Sequence, residues 1–307
     1  MKIIFLVDSN KESGLGHLSR NIVFAKELKK KRFNIIFFVT SYFAKQICFK
    51  EGFMAEKKNN LEKYNYPKAD AIVIDSYHIS SSYMSSLKKN YFLRILISDK
   101  TPKNCDCEIV INHNLYAKNL NYSKFKNSKI LKGPKFNLID KKFFIKMKKR
   151  NNITVFFGGK DNGLLSFLVV KELIRFFDQK INVLIAGFHK PNKELIKLSN
   201  ENNLVKIIHD KFNNSILAKS NIFIGSSGVV AYEAYMSKIP SVIFAKSSNQ
   251  KMNSIELKKN GFKVIDRFSP KLFAKEAYKL FNTKKKIQHN FTYGTNKIVN
   301  EVIKILK

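Results

Sequence analysis

Ile3-Ile-Phe-Leu-Val7, Asp8-Ser9, Gly14-Leu-Gly16-His17-Leu-Ser-Arg20 and Ile35-Ile-Phe-Phe-Val39 follow one another at the start of the chain. The two apolar runs are short and unbroken, as expected of strands buried on both faces of a parallel sheet covered by helices. Between them Leu18, Ile22, Ala25 and Leu28 recur at helical spacing, so the segment reads as a β-α-β unit. Further unbroken runs follow at Ala71–Ile74, Ile95–Ile97 and Ile109–Ile111. After an irregular, strongly basic stretch from Lys132 to Asn152, the pattern restarts. Runs at Ile153–Phe157, Val183–Ala186, Val205–Ile208, Ile222–Ile224 and Val242–Ala245 alternate with helical segments such as Ser166–Phe177 and Val229–Ser237. The prediction is an α/β protein of two doubly wound, Rossmann-like domains facing a cleft, with domains at 1–140 and 153–307 and a basic linker at 141–152. The last helix, about Lys297 to Leu306, has a face that fits either half.

The 307 residues carry 57 Lys+Arg against 23 Asp+Glu, a formal charge of +34. Such a charge points first to nucleic acid or an anionic membrane surface. Only six of the basic residues are Arg, however, and the lysines are scattered through every candidate helix, as at Lys29-Lys30-Lys31, Lys258-Lys259 and Lys284-Lys285-Lys286. That pattern reads as a solvated surface. With 44% hydrophobic residues the chain is a folded globule rather than a disordered one. No apolar run approaches the length of a membrane span, and three cysteines (Cys48, Cys105, Cys107) fit a reducing cytoplasm. Cys105-Asp-Cys107 lacks a second ligand pair at zinc-site spacing, so no metal is expected.

In open α/β sheets ligands collect at the carboxyl ends of the strands. In the first loop Gly14 and Gly16 let the backbone turn sharply toward a ligand, and the helix that follows offers free N–H groups to an anion. It is not a dinucleotide fingerprint: Ser19 stands where the third glycine belongs, and Thr40 rather than an acid ends the second strand. His17 sits at the helix mouth, off the apolar stripe, and reads either as a general base at neutral pH or as a loop cap. Arg20 either orients an anion or forms a surface ion pair. The second half opens with Gly158-Gly159-Lys160-Asp161. Its serine loop, Gly225-Ser226-Ser227-Gly228, runs into a helix carrying Glu233. Small residues and hydroxyls at a helix start suit a diphosphate, and a carboxylate further along the helix suits ribose hydroxyls; the alternative is an ordinary N-cap with a solvent-facing Glu233. A P-loop, an Asp-x-Asp pair and a Gly-x-Ser-x-Gly elbow are all missing, which argues against P-loop nucleotidases, metal-dependent sugar-nucleotide transferases and serine hydrolases.

Taken in order, Asp8-Ser9 with Gly14-x-Gly16-His17-x-x-Arg20, Ile74-Asp75-Ser-Tyr77, Asn112-His-Asn114-Leu-Tyr116-Ala117-Lys118, Gly158-Gly159-x-Asp161, Ser226-Ser227 to Glu233, and Asn249-Gln250 resemble a known family. It is the family of UDP-2,4-diacetamido-2,4,6-trideoxy-β-L-altropyranose hydrolases of pseudaminic acid biosynthesis, relatives of the glycosyltransferase-B enzymes. The resemblance implies a metal-independent hydrolase without a cofactor, in which water attacks the anomeric carbon with inversion and UDP leaves. It implies that His17 activates the water with Tyr77 near it, that the N-terminal domain holds the sugar, and that the C-terminal domain holds UDP with Glu233 on the nucleotide. The implied substrate contacts are Gly14, Gly16, Arg20, Tyr77, Asn114, Gly159, Lys160, Asp161, Ser226, Ser227, Glu233, Asn249 and Gln250. Relatives tend to carry polar residues where this chain has Leu6 or Val7 and Leu164, Ser or Thr at Lys160, and Arg at Asp140. These departures leave open a related UDP-sugar as substrate or a diverged member with another role, and Lys160 would compensate for lost contacts by meeting a phosphate as a point charge.

The runner-up is an inverting glycosyltransferase of the same fold, in which His17 deprotonates an acceptor hydroxyl. A third reading, a basic module binding nucleic acid or an anionic membrane, lacks any recognised motif or aromatic-interleaved basic stripe. The expected partner is a small-molecule UDP-sugar, with no nucleic acid and no membrane insertion, and the chain is expected to be a cytoplasmic monomer.

Overall fold

The computed structural model describes the chain except residues 11–12, 102–105, 146–149, 188, 210–213 and 284–285, and the side chains at 214, 215, 248 and 249. Cys105, the basic run 146–149 and the Lys284-Lys285 pair thus lie outside the described residues. Two units are distinguished, Met1–Asp140 with Thr292–Lys307, and Lys141–Phe291.

In the first unit, β1 (Lys2–Val7) divides its side chains between two apolar clusters. Ile3, Phe5 and Val7 pack with Leu18, Phe24, Ala25 and Leu28 of α1 (Gly16–Lys30), while Ile4 and Leu6 join Ile72, Met84 and Leu87 on the other face. Burial of both faces removes any polar position from Ile3 to Val7, and the sequence run is unbroken for that reason. With β2 (Asn34–Val39), β3 (Met54–Lys57), β4 (Ala71–Asp75), β5 (Leu93–Ile97), β6 (Ile109–Asn112) and β7 (Lys129–Lys132) it forms a seven-stranded sheet in the order β3-β2-β1-β4-β5-β6-β7. Every pairing is parallel. The order changes direction between β1 and β4, so the loops after Val7 and Asp75 flank the switch point where α/β sheets open for ligands.

The second unit repeats the plan. β8 (Asn152–Phe156), β9 (Lys180–Ile185), β10 (Val205–His209), β11 (Ser220–Ser226), β12 (Ser241–Phe244) and β13 (Lys263–Ile265) form a parallel sheet in the order β10-β9-β8-β11-β12-β13. Its switch point lies between β8 and β11, which places the Gly158-Gly159 and Ser226-Ser227 loops side by side. Gly225 on β11 allows this approach: a Cβ there would stand 1.9 Å from the Phe156 carbonyl oxygen of β8. The first unit also contains α2 (Tyr42–Lys50) and α3 (Ser81–Ser86), and the helices of the second include α4 (Leu164–Leu173), α5 (Lys193–Glu201), α6 (Asn214–Ala218), α7 (Val229–Met236), α8 (Ser248–Lys259) and α9 (Pro270–Thr283).

Two expectations about boundaries are corrected. The final helix, α10 (Thr295–Leu306), does not join residues 153–291: Ile298, Val299 and Val302 enter the core around α1, and Thr295 Oγ1 donates to the Asn137 carbonyl at 2.9 Å. The segment from Lys141 is not a free linker either. Phe143 is buried, and its carbonyl accepts from Ser237 Oγ at 3.1 Å within the second unit. The short strands β3, β7 and β13 were not read from the sequence, because they carry lysines and a glutamate of the kind that blunts edges, and β3 and β13 lie at sheet edges, as does β7.

Candidate active site

The carboxyl ends of four neighbouring strands in the first unit carry polar side chains, with Asp8 after β1, Asp75 closing β4, Asp99 after β5, and Asn112, His113 and Asn114 at and after β6. Gly14 adopts φ +74° in the loop that leads to α1, a left-handed conformation that favours glycine. His17 and Arg20 lie on the first turns of α1 and point back to these strand ends. Arg20 is 2% exposed; its Nε and Nη2 donate to the two carboxylate oxygens of Asp75 and its Nη1 to Asp99 Oδ1, each at 2.6 Å. The expectation that Arg20 meets the substrate gives way to this inward fork. A buried guanidinium requires paired charge, and two carboxylates supply it. Burial alone would lower the Arg20 pKa, but Asp75 and then Asp99 outweigh it and hold it well above the usual value.

His17 is 5% exposed, with Nδ1 3.4 Å from Asp75 Oδ1 and without a hydrogen-bond partner. The carboxylate favours the proton on Nδ1, which leaves the Nε2 lone pair for a substrate or water. Catalytic hydrogen bonds are often this loose before a ligand binds. Asp75 is steadied from its other side by Asn21, whose Nδ2 donates to Oδ2 at 2.6 Å and to the His17 carbonyl at 2.8 Å. Tyr77, 47% exposed, sets the edge of its ring against the imidazole at 4.7 Å between centroids, and its hydroxyl donates to Asp99 Oδ2 at 2.5 Å. Burial first, and the Asp99 charge second, push the Tyr77 hydroxyl far above the ordinary phenol pKa, so it stays protonated. Asn114 Nδ2 donates to Asp99 Oδ1 at 2.8 Å and to Asn112 Oδ1 at 3.0 Å, and Tyr116 OH donates to the Asp99 carbonyl at 2.8 Å.

The structure therefore brings together His17, Arg20, Tyr77 and Asn114 of the expected site, around two carboxylates that the sequence reading did not assign roles to, Asp75 and Asp99. Burial pushes the Asp99 carboxyl up, but Arg20 and then His17 outweigh it and hold it well below the usual carboxylate range. The signal available for Asp99 was its place just beyond the Ile95–Ile97 run, where a polar residue at a parallel strand's carboxyl end faces the ligand side.

His113, 1% exposed, accepts from the Leu138 backbone N–H through Nδ1 at 3.3 Å and lies 3.4 Å from Arg20 Nη1 through Nε2. Burial, and then the Arg20 charge, push its pKa down to about 3. The unfolded chain therefore takes up the extra proton as the pH falls below about 6.5, so this residue's contribution to stability is complete above that pH and declines toward pH 3. At about 1.4 kcal/mol per pH unit and proton, acidification from about pH 6.5 to about pH 5 is expected to cost about 2 kcal/mol through His113. Urea unfolding of His113→Asn should show a correspondingly flatter pH slope; a slope equal to that of the unmodified protein rules this role out.

In the second unit, Gly158 has φ +90°, and a Cβ there would stand 3.2 Å from Ser226 Oγ. Ser226 is buried at the end of β11, next to Ser227, whose hydroxyl donates to the Gln250 carbonyl at 3.1 Å. Gln250 Oε1 accepts from the Lys246 backbone N–H at 3.0 Å, closing the turn between β12 and α8. The Gly159 carbonyl accepts from His189 Nε2 at 2.9 Å. Asp161 faces its own helix: it accepts from Leu165 N at 3.2 Å, Ser166 N at 3.3 Å and Ser166 Oγ at 2.7 Å, an N-terminal cap for α4 rather than an open ligand contact. Lys160 is exposed beside this loop. Glu233 is 3% exposed on α7, which removes the solvent-facing alternative for it. Asn249 lies on α8, with its side chain outside the described residues. Lys246 was not read from the sequence. It is half-buried, and its ammonium is lowered by burial, with Asp161 opposing and Lys160 adding to that shift. Its position immediately beyond the Val242–Ala245 run was the available signal. Among the described residues no group of three His, Cys, Asp or Glu is disposed to hold a metal ion, and no helix is long and apolar enough to cross a membrane.

No protein-family model matches the chain. Over 275 residues it is 26% identical to the UDP-2,4-diacetamido-2,4,6-trideoxy-β-L-altropyranose hydrolase of Campylobacter jejuni, covering 86% of this chain and 98% of that one. It is 28% identical over 275 residues to an uncharacterized protein of Methanocaldococcus jannaschii; the match covers 82% of this chain and only 57% of that longer relative. Among solved structures it is similar to a kitacinnamycin glycotransferase (TM-score 0.65, 12% identity, covering 100% and 99% of the two chains) and to Acinetobacter baumannii MurG (0.61, 8%, 99% of each). The UDP-GlcNAc 2-epimerase of M. jannaschii also superposes (0.58, 14%, 99% and 100%). These likenesses establish the glycosyltransferase-B type of fold that the family resemblance implied for the two doubly wound halves, and the similarity to the altropyranose hydrolase extends over most of both chains.

Proposed function

We propose that this protein hydrolyses a UDP-amino sugar, with UDP-2,4-diacetamido-2,4,6-trideoxy-β-L-altropyranose as the first candidate, in a pathway of the pseudaminic acid type. The observation that carries this reading is the His17–Asp75 arrangement at the switch point of the first sheet: a buried imidazole whose Nδ1 faces a carboxylate and whose Nε2 is left as a base. Nε2 takes a proton from water as the water oxygen bonds to the anomeric carbon, and Asp75 compensates the imidazolium that forms. The bond from that carbon to the diphosphate oxygen breaks with its electron pair, UDP leaves, and the configuration inverts. In the second unit, Lys160 and Lys246 with the Gly158-Gly159 and Ser226-Ser227 loops meet the diphosphate, and Glu233 accepts from ribose hydroxyls. Asp161 acts by holding the Gly158–Gly163 turn in place. Distant similarity to a hydrolase of this name over nearly the whole chain supports the same substrate class.

The test is an NMR time course on a panel of UDP-amino sugars without added acceptor. UDP should appear together with a free sugar whose first-formed anomer is inverted. UDP release only when an acceptor sugar is supplied would establish the transferase alternative, and no release from any member of the panel would overturn both.

A further inference from the structure

We propose that Asp99 is the positioning residue of the first unit's site: its carboxylate fixes the Tyr77 phenol against the His17 ring and anchors the Arg20 fork that keeps Asp75 beside the imidazole. This rests on the reading of His17 as the base. Tyr77 is nearly half exposed, and the hydroxyl bond to Asp99 Oδ2 at 2.5 Å is what ties down its far end. On the other oxygen Asp99 receives Arg20 Nη1 at 2.6 Å and Asn114 Nδ2 at 2.8 Å. Three donors converge on one side chain, which a carboxylate satisfies and an amide cannot, because an amide turns an NH2 group toward one of them. Arg20 in turn uses its remaining fork on both oxygens of Asp75, so a shift of Asp99 is transmitted to the carboxylate that faces His17.

Charge makes the same connection. The groups around the imidazole are Arg20 on α1, Asp75 and Tyr77 at the end of β4, Asp99 after β5 and His113 after β6, with Asp8 after β1 held by Ser76 Oγ and Tyr77 N. Two carboxylates share one guanidinium, so the fork carries one negative charge while His17 is neutral and none once it is protonated. Removing the Asp99 charge makes the imidazolium less favourable, whether or not the backbone moves.

The experiment is an NMR titration of the His17 imidazole in the unmodified protein, Asp99→Asn and Tyr77→Phe, alongside kcat and KM for UDP release. Asp99→Asn, which removes a negative charge from the groups around the imidazole, is expected to make the imidazolium less favourable and to move the acid limb of kcat/KM downward. It should cut kcat by about 10- to 100-fold with KM changed less than about threefold. Tyr77→Phe should cut kcat about tenfold without moving the imidazole, and the double variant should be no slower than Asp99→Asn. A folded Asp99→Asn with an unmoved imidazole, or additive losses in the double variant, would overturn the proposal. If Asp99→Asn does not fold, unchanged kcat in Tyr77→Phe overturns it. If no UDP-sugar is hydrolysed, the proposed function fails, while the ligand-free imidazole titration still decides the role of Asp99.

Discussion

His17→Asn is expected to slow UDP release by about 10²- to 10⁴-fold, the usual contribution of a positioned general base, with KM little changed. The base acts only as the proton moves, so its loss falls on kcat rather than on binding. The substitution should leave the fold intact, because Nδ1 of His17 has no hydrogen bond to lose and the Asn21 and Arg20 contacts to Asp75 remain. Thermal unfolding within a few degrees of the unmodified protein, measured on the same preparation, separates the catalytic loss from misfolding. Retention of more than about a tenth of the rate would remove His17 from the role of base.

Arg20→Met is expected to be the most destabilising single change at the site, costing about 3–5 kcal/mol in urea unfolding at neutral pH. The mechanism is the charge left behind. Asp75 and Asp99 are both tied to this one guanidinium, and Asp75 is 1% exposed. Without Arg20 the burial that already opposes ionisation of Asp99 is no longer outweighed by a cation, so the carboxyl pKa rises above its unfolded value. A raised carboxyl pKa makes a contribution that is present at low pH and lost as the pH rises. Arg20→Met should therefore recover part of its deficit between about pH 7 and about pH 5, the range in which the unmodified protein loses stability through His113. A variant that is uniformly weak at all pH values would mean that lost packing, not unpaired charge, accounts for the effect.

The interior strands were readable because burial on two faces leaves a local mark, an unbroken apolar run, and β1, β2, β4 and β11 each carry one. The edge strands Met54–Lys57 and Lys263–Ile265 carry no such mark, since an edge must discourage further pairing. Loop position and resemblance already pointed to His17, Tyr77 and Asn114, which the fold sets around Asp75 and Asp99. The inward turn of Arg20 was not readable: an arginine one turn into a helix looks the same in sequence whether it meets solvent, an anion or two buried acids. Asp161 shows the same limit, since an acid before a helix serves equally as ligand or cap, and only its bonds to Leu165 and Ser166 distinguish the two.

Local pattern was thus enough to specify two parallel α/β sheets and the loops at their carboxyl ends, because strand burial and helix periodicity act over a few residues. Tertiary structure alone settled which charges pair and which core receives the last helix. Arg20 is 55 residues from Asp75, 79 from Asp99 and 93 from His113, and α10 reaches back to α1 across the whole second unit. The choice among partners so distant in sequence depends on where the switch in strand order between the parallel strands β1 and β4 brings the strand ends together, and no neighbouring residue records it.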